Sequence, residues 1–152
     1  DVTVQAQIMS LLRELQAEFG MATILITHDL GVIAGFCRDV MVLYGGQVME
    51  QAPVDLLFES PAHPYTRGLL DCIPKRGQSA SLGPLGSIPG IVPSLVGEAS
   101  GCSFRNRCAL AHAACRHGEI ALAQAGDAHA YRCVLTPQQA RGQAPAYVGG
   151  VA

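Results

Sequence analysis

The strongest constraint on the fold is a junction near the start of the sequence. An amphipathic stretch gives way, across Gly20, to Met21-Ala22-Thr23-Ile24-Leu25-Ile26-Thr27, which is apolar and β-branched with no alternation. Alternation marks a strand with one wet face, so its absence predicts a strand covered on both faces, as in a parallel sheet between helices. Ahead of it, Ile8, Leu11, Leu12, Leu15 and Phe19 recur at spacings of three and four, which is one face of a helix from Val4 to Phe19. Thr3 is placed as its N-cap and Gly20 as its left-handed C-terminal residue. A helix followed by a doubly covered strand is an α/β pattern.

His28 and Asp29 follow at the carboxyl end of that strand, where ligands of open α/β sheets gather, and Asp29 can cap a short helix through Cys37. Val40 to Leu43 and Gln47 to Gln51 read as two strands of a hairpin turned at Gly45-Gly46. Pro53 to Phe58 and Tyr65 to Cys72 read as short helices, separated by Ser60-Pro61 and His63-Pro64. From Lys75 to Ser100 the chain is rich in Gly, Pro and Ser and has no aromatic residue, the composition of a linker laid over a surface. A module from Gly101 to about Leu135 holds four of the six cysteines, and residues 136–152 read as a flexible tail.

Composition excludes several functions. Lys75 is the single lysine, flanked by Pro74 and Arg76, so the chain has no G-x-x-x-x-G-K-[ST] phosphate loop. Ten basic and twelve acidic residues give a net charge of -2, which supplies no field for non-specific nucleic-acid binding. No apolar run approaches the ~20 residues that span a bilayer, and no basic segment followed by an apolar one opens the chain. The sequence starts at Asp1 and enters a helical pattern at once, and it reads as cut from something longer.

The order Asp1-Val2-Thr3-Val4-Gln5, amphipathic helix, then Ile24-Leu25-Ile26-Thr27-His28-Asp29-Leu30 resembles the end of an ATP-binding-cassette ATPase domain, a P-loop NTPase type, from D-loop to switch-histidine loop. The resemblance implies that Asp1 is the D-loop aspartate at the interface of two ATPase domains. It also implies that His28 is the switch histidine that contacts the γ-phosphate of ATP. An imidazole there would donate a hydrogen bond and orient water, which is positioning rather than covalent chemistry. Leu43-Tyr44-Gly45-Gly46-Gln47 mimics the cassette signature, but it lacks the serine, follows the switch histidine and runs into a strand, so it reads as a hairpin turn. Glu59-Ser60-Pro61-Ala62-His63-Pro64-Tyr65-Thr66-Arg67 resembles the His-Pro-Tyr-Thr segment of the oligopeptide, dipeptide and nickel importer ATPases. Its role is read as structural, with Pro64 starting a helix and His63 outside the chemistry.

The spacing Cys102-x5-Cys108-x6-Cys115-x17-Cys133 admits three readings. Disulfides suit an exported module, whereas an ATPase segment precedes this one. Zinc takes four thiolates but usually in closely spaced pairs, and an iron-sulfur cluster tolerates wider spacing. Gly101-Cys102-Ser103-Phe104-Arg105-Asn106-Arg107-Cys108 resembles the importer family's C-terminal cysteine module, and that resemblance favours a 4Fe-4S cluster on Cys102, Cys108, Cys115 and Cys133, with Zn2+ as the alternative. Asn106 and Ala109 stand where the family often has proline. Arg105, Arg107, Arg116 and Arg132 are candidates to offset cluster charge, His112, His117 and His129 could substitute as ligands, and Cys37 and Cys72 read as core thiols.

These resemblances imply a C-terminal portion of a peptide importer's ATPase subunit, made of an ATPase part (1–74), a linker (75–100), a metal-stabilised four-cysteine module (101–135) and a tail. The intact protein would use ATP with Mg2+ to drive peptide uptake. Its partners would be a second ATPase subunit, two membrane permease subunits and an extracytoplasmic peptide-binding protein, with no nucleic acid, on the cytoplasmic face of the cell membrane. Without Walker A, Walker B and signature motifs this chain alone would not hydrolyse ATP. The alternatives are a non-enzymatic iron-sulfur or zinc module, or a truncated gene product inactive by itself.

Overall fold

A computed structural model describes residues 2–73, 87–92 and 100–143. The chain forms two compact units, divided after Arg38. In the first, α1 (Val2–Phe19) ends at Gly20, whose φ of +61° and bond to the Gln16 carbonyl (2.9 Å) make the left-handed stop that the sequence predicts. Thr3 lies within α1, one residue past its start, and is not the cap. Arg13 stacks over the Phe36 ring (5.3 Å) and donates to the Gly35 carbonyl, joining α1 to α2 (Leu30–Phe36).

Residues 21–27 correct an expectation. They enter no ladder among the described residues, and Ile24 and Ile26 are 92% and 94% exposed. The residue types favour a strand, but a strand exists only through its neighbours' backbone groups, and no described segment pairs with this one.

The second unit is built on β1 (Asp39–Tyr44) and β2 (Gln47–Pro53), an antiparallel hairpin. Gly45 and Gly46 turn it with φ of +55° and +75°, the double left-handed geometry of a type I′ turn, so Leu43-Tyr44-Gly45-Gly46-Gln47 is a turn and not a phosphate loop. Val40, Val42 and Tyr44 point inward while Met41 and Leu43 point out. A register shift opposite Val42 and Leu43 places an extra residue in β2. This bulge breaks the alternation and leaves the consecutive Met49 and Glu50 both fully buried. Two short helices follow, α3 (Val54–Glu59) and α4 (Pro64–Asp71), with Leu57 in the core.

The four-cysteine segment and the hairpin, separate in the sequence reading, share one sheet. It adds β3 (Ala123–Gly126) and β4 (His129–Tyr131), and its order is β1-β2-β4-β3, antiparallel throughout. Glu50 pairs with Tyr131 and Gln51 with Ala130, and Arg132 extends the seam through its amide to the Met49 carbonyl (2.8 Å). Phe104, fully buried, stands 5.3 Å from the Tyr44 ring and 5.0 Å from the Tyr65 ring, so one aromatic cluster draws on hairpin, helix and cysteine segment.

Of the segment read as a linker, residues 87–92 and 100 are described. Ile88 packs on this core, and Arg107 donates to the carbonyls of Ile88 (2.9 Å) and Pro89 (3.0 Å). The start of the expected flexible tail is a helix, α5 (Pro137–Gln143). Thr136 and Gln139 form a reciprocal capping box, Ala140 is buried, and Arg67 donates to the Ala140 carbonyl.

Candidate functional site

In the first unit, Asp29 caps α2 by accepting from the amides of Gly31 (2.9 Å) and Val32 (3.1 Å), and its other oxygen faces the Gln5 amide at 3.5 Å. The Thr27 hydroxyl accepts from the Asp29 amide (3.0 Å). The Val32 amide above all, with those of Gly31 and Gln5 and the nearby His28, holds the Asp29 carboxyl below its ordinary range. The turn carrying His28 is thereby fixed on both sides while the imidazole itself is exposed. Asp1 lies outside the described residues, so no geometry joins it to His28.

In the second unit the deepest polar group is Glu50, which the sequence reading passed over. Its Oε1 accepts from the Ala62 amide (2.7 Å) and faces His129 Nε2 (2.7 Å), and its Oε2 accepts from the His63 amide (2.9 Å). An acid in phase with the apolar Val48 and Ala52 was the available signal. His63 is buried as well. Its Nδ1 accepts from the Tyr65 amide (3.0 Å), which makes it the side-chain cap of α4, with Pro64 in the first helical position. Its Nε2 is buried without a hydrogen-bond partner, and burial, opposed in part by the Arg132 backbone, pulls the imidazole down to about 4. A neutral, buried capping imidazole agrees with the structural role read from the sequence.

The thiols of Cys102 and Cys115 are buried and those of Cys108 and Cys133 half-buried, and none is in a disulfide. Burial first, then Cys102, Cys133 and Cys115 nearby, pushes the Cys108 thiol up to about 11. Cys102 and Cys133 are also raised, chiefly by burial and further by thiol neighbours of this set. The four sulfurs therefore share one desolvated neighbourhood. Among the described residues, however, no three His, Cys, Asp or Glu side chains come together as ligands of one metal ion.

Gly101 shapes this neighbourhood. Its φ is +73°, a Cβ there would lie 2.4 Å from the Cys115 carbonyl oxygen, and its amide bonds to Gly118 (2.7 Å) while that of Cys102 bonds to Cys115 (2.9 Å).

Three of the four arginines near these cysteines bond to backbone carbonyls. Arg105 donates to Ser100 (2.7 Å) and Cys102 (3.1 Å), Arg107 to Ile88 and Pro89, and Arg132 to Val48 (2.9 Å) and Ile120, whereas Arg116 is exposed. Of the substitute ligands, His112 and His117 are exposed and His129 is committed to Glu50. Cys37 and Cys72, read as core thiols, are half-buried residues at the C-terminal ends of α2 and α4.

The stretch from the β2 bulge through the His63 cap to the third cysteine is the part of the chain that is similar to a known family. Residues 49–115 match the family model of the oligopeptide/dipeptide transporter, C-terminal region. The matched region takes in Glu50, the His63 cap and Cys102, Cys108 and Cys115, and it stops short of His129 and Cys133.

Relatives extend the likeness over more of the chain. A putative peptide import ATP-binding protein of Brucella ovis is 42% identical over 138 residues, which is 88% of this chain and 41% of that protein. A probable peptide ABC transporter ATP-binding protein of Sinorhizobium fredii is 45% identical over 135 residues, covering 88% and 39%. An oligopeptide transport ATP-binding protein of Haemophilus influenzae is 49% identical over 116 residues, covering 76% and 35%. The chain thus spans about two fifths of the length of these relatives. Among the described residues no helix is long and apolar enough to cross a membrane.

Proposed function

We propose that this chain is the C-terminal portion of the ATP-binding subunit of a peptide ABC importer, working on the cytoplasmic face of the membrane. The observation that carries the reading is its 42% identity to a peptide import ATP-binding protein over 88% of the chain, together with the transporter C-terminal region at residues 49–115. In the intact subunit ATP with Mg2+ is the nucleotide, and the partners are a second ATPase subunit, two permease subunits and, through them, an external peptide-binding protein.

His28 acts as the switch histidine. The Asp29 cap and the Thr27 hydroxyl hold the turn, leaving the exposed imidazole to donate to a γ-phosphate and position water. Asp1 reaches across the dimer as the D-loop residue. Loss of the γ-phosphate removes the acceptor that His28 holds, and that loss lets the ATPase pair open and drive the permeases.

The test is ATP turnover by a full-length subunit carrying this segment. His28→Ala should lower kcat at least 100-fold with nucleotide binding kept, and the present chain alone should give no turnover. Turnover by the purified chain, or an unaffected His28→Ala subunit, would overturn the assignment.

For the cysteines, the donor chemistry fits a group held by four thiolates: Cys102, Cys108, Cys115 and Cys133 lie in one desolvated neighbourhood and influence one another's ionisation. Among the described residues no three of these side chains come together as ligands of one metal ion, so the reading rests on donor type and spacing. We read them as ligands of a 4Fe-4S cluster, with Zn2+ the alternative. When bound, the group supplies metal-thiolate bonds that cross-link the segment. Anaerobic purification should give a brown protein with broad visible absorption, and a colourless chain holding about one zinc would favour the alternative.

A further inference from the structure

Glu50 stands where three parts of the second unit meet, and each of its oxygens is committed. Oε2 takes the His63 amide and Oε1 takes both the Ala62 amide and the His129 ring, with the carboxylate fully buried. On one side His63 passes the constraint on, because its own Nδ1 holds the first turn of α4 through Tyr65. On the other side His129 opens β4, which ends at Tyr131, paired to Glu50 itself, and the chain runs on through Arg132, bonded to Met49 and Val48, to Cys133. A carboxylate with both oxygens held by the 62–63 turn cannot follow a shift of β4 without giving up a buried bond, and a fully buried group has no access to solvent in exchange.

We propose that the Glu50–His129 pair is a conformational coupling between the cysteine end of β4 and the cap of α4. A displacement of the chain at Cys133, two residues past β4, loosens the 62–63 turn, and by reciprocity the turn sets where Cys133 is held. This link goes beyond the transport reading and requires neither nucleotide nor metal.

The test uses the reduced, metal-free full chain and two site-resolved readouts: amide hydrogen exchange at Ala62 and His63, and the rate at which N-ethylmaleimide labels Cys133 relative to Cys37. His129→Leu should speed labelling of Cys133 and exchange at Ala62 and His63 at least tenfold. His129→Gln, whose amide nitrogen replaces the ring Nε2, should bring both within threefold of wild type. Cys133→Leu, with His129 intact, should speed exchange at Ala62 and His63 while Val42 and Leu57 stay within twofold, and should add nothing in the His129→Leu background. Unchanged exchange at Ala62 and His63 in Cys133→Leu, or additive effects in the double variant, would overturn the coupling. If His129→Leu does not fold, the Cys133→Leu measurement decides alone.

Discussion

Gly101→Ala should be among the most damaging single substitutions in the chain, and the structure separates its two costs. The first is backbone strain: at φ +73° an L side chain pays about 1–2 kcal/mol. The second is collision. The new Cβ would sit 2.4 Å from the Cys115 oxygen and 2.7 Å from the Arg116 carbonyl carbon, well inside the ~3.5 Å of ordinary contact, and backbone cannot rotate away as a side chain can. Relief requires the two segments to part by roughly 1 Å, which sacrifices the Gly101–Gly118 and Cys102–Cys115 hydrogen bonds at about 0.5–1.5 kcal/mol each. The sum is about 2–5 kcal/mol, a large share of the ~5–15 kcal/mol that holds a typical domain.

Gly118 supplies the control, because its φ of +75° carries the same strain while a Cβ there would meet nothing within 4 Å. Gly118→Ala should therefore cost only about 1–2 kcal/mol. Urea unfolding followed by near-ultraviolet circular dichroism of the buried tyrosines measures both variants. Equal midpoints for Gly101→Ala and Gly118→Ala would refute the steric argument.

Three further outcomes are expected. Stability should fall with acid because of His63: its folded value of about 4 lies below the ordinary 6.5, so the unfolded chain takes up the proton first. That contribution is complete above pH ~6.5 and fades as the pH drops toward 4, by about 3 kcal/mol in all, and His63→Asn should flatten this dependence in urea titrations across the range. Ala128 sits at φ +56° in the β3–β4 turn, so Ala128→Gly should raise the unfolding free energy by about 0.5–1 kcal/mol in the same assay. The Cys108 thiol, held near 11 by burial and its neighbours, should label with maleimide about 100-fold more slowly than free cysteine at pH 8, with a rate still climbing past pH 10, as peptide mass spectrometry can read.

Local rules made much of this legible from the residues. Gly45-Gly46 announced the hairpin, Asp29 its helix and Pro64 the start of α4, because turn and cap chemistry act within a few positions of themselves. What escaped depends on partners distant in sequence. The sheet order could not be read, since β4 owes its place to a hydrogen-bonding edge of β2, and Glu50 gives no local sign of His129, 79 residues away. Ile24 and Ile26 carried the strand signal, but residue type supplies preference and not partners. One local signal went unread: Thr136-Pro137-Gln138-Gln139 is a capping box, and the Ala/Gly-rich composition around it concealed a helix.

The order β1-β2-β4-β3 also governs when this unit can form. The hairpin closes through a two-glycine turn within microseconds, but it presents β2 as an open edge until Ala130 and Tyr131 arrive from far along the chain. During synthesis that edge waits while the intervening residues emerge, carrying unpaired backbone groups beside the apolar Met49 and Tyr44. A chain stopped before Tyr131 would keep the edge exposed for good, so self-association of such truncations is the cost of placing a late strand in the middle of the sheet.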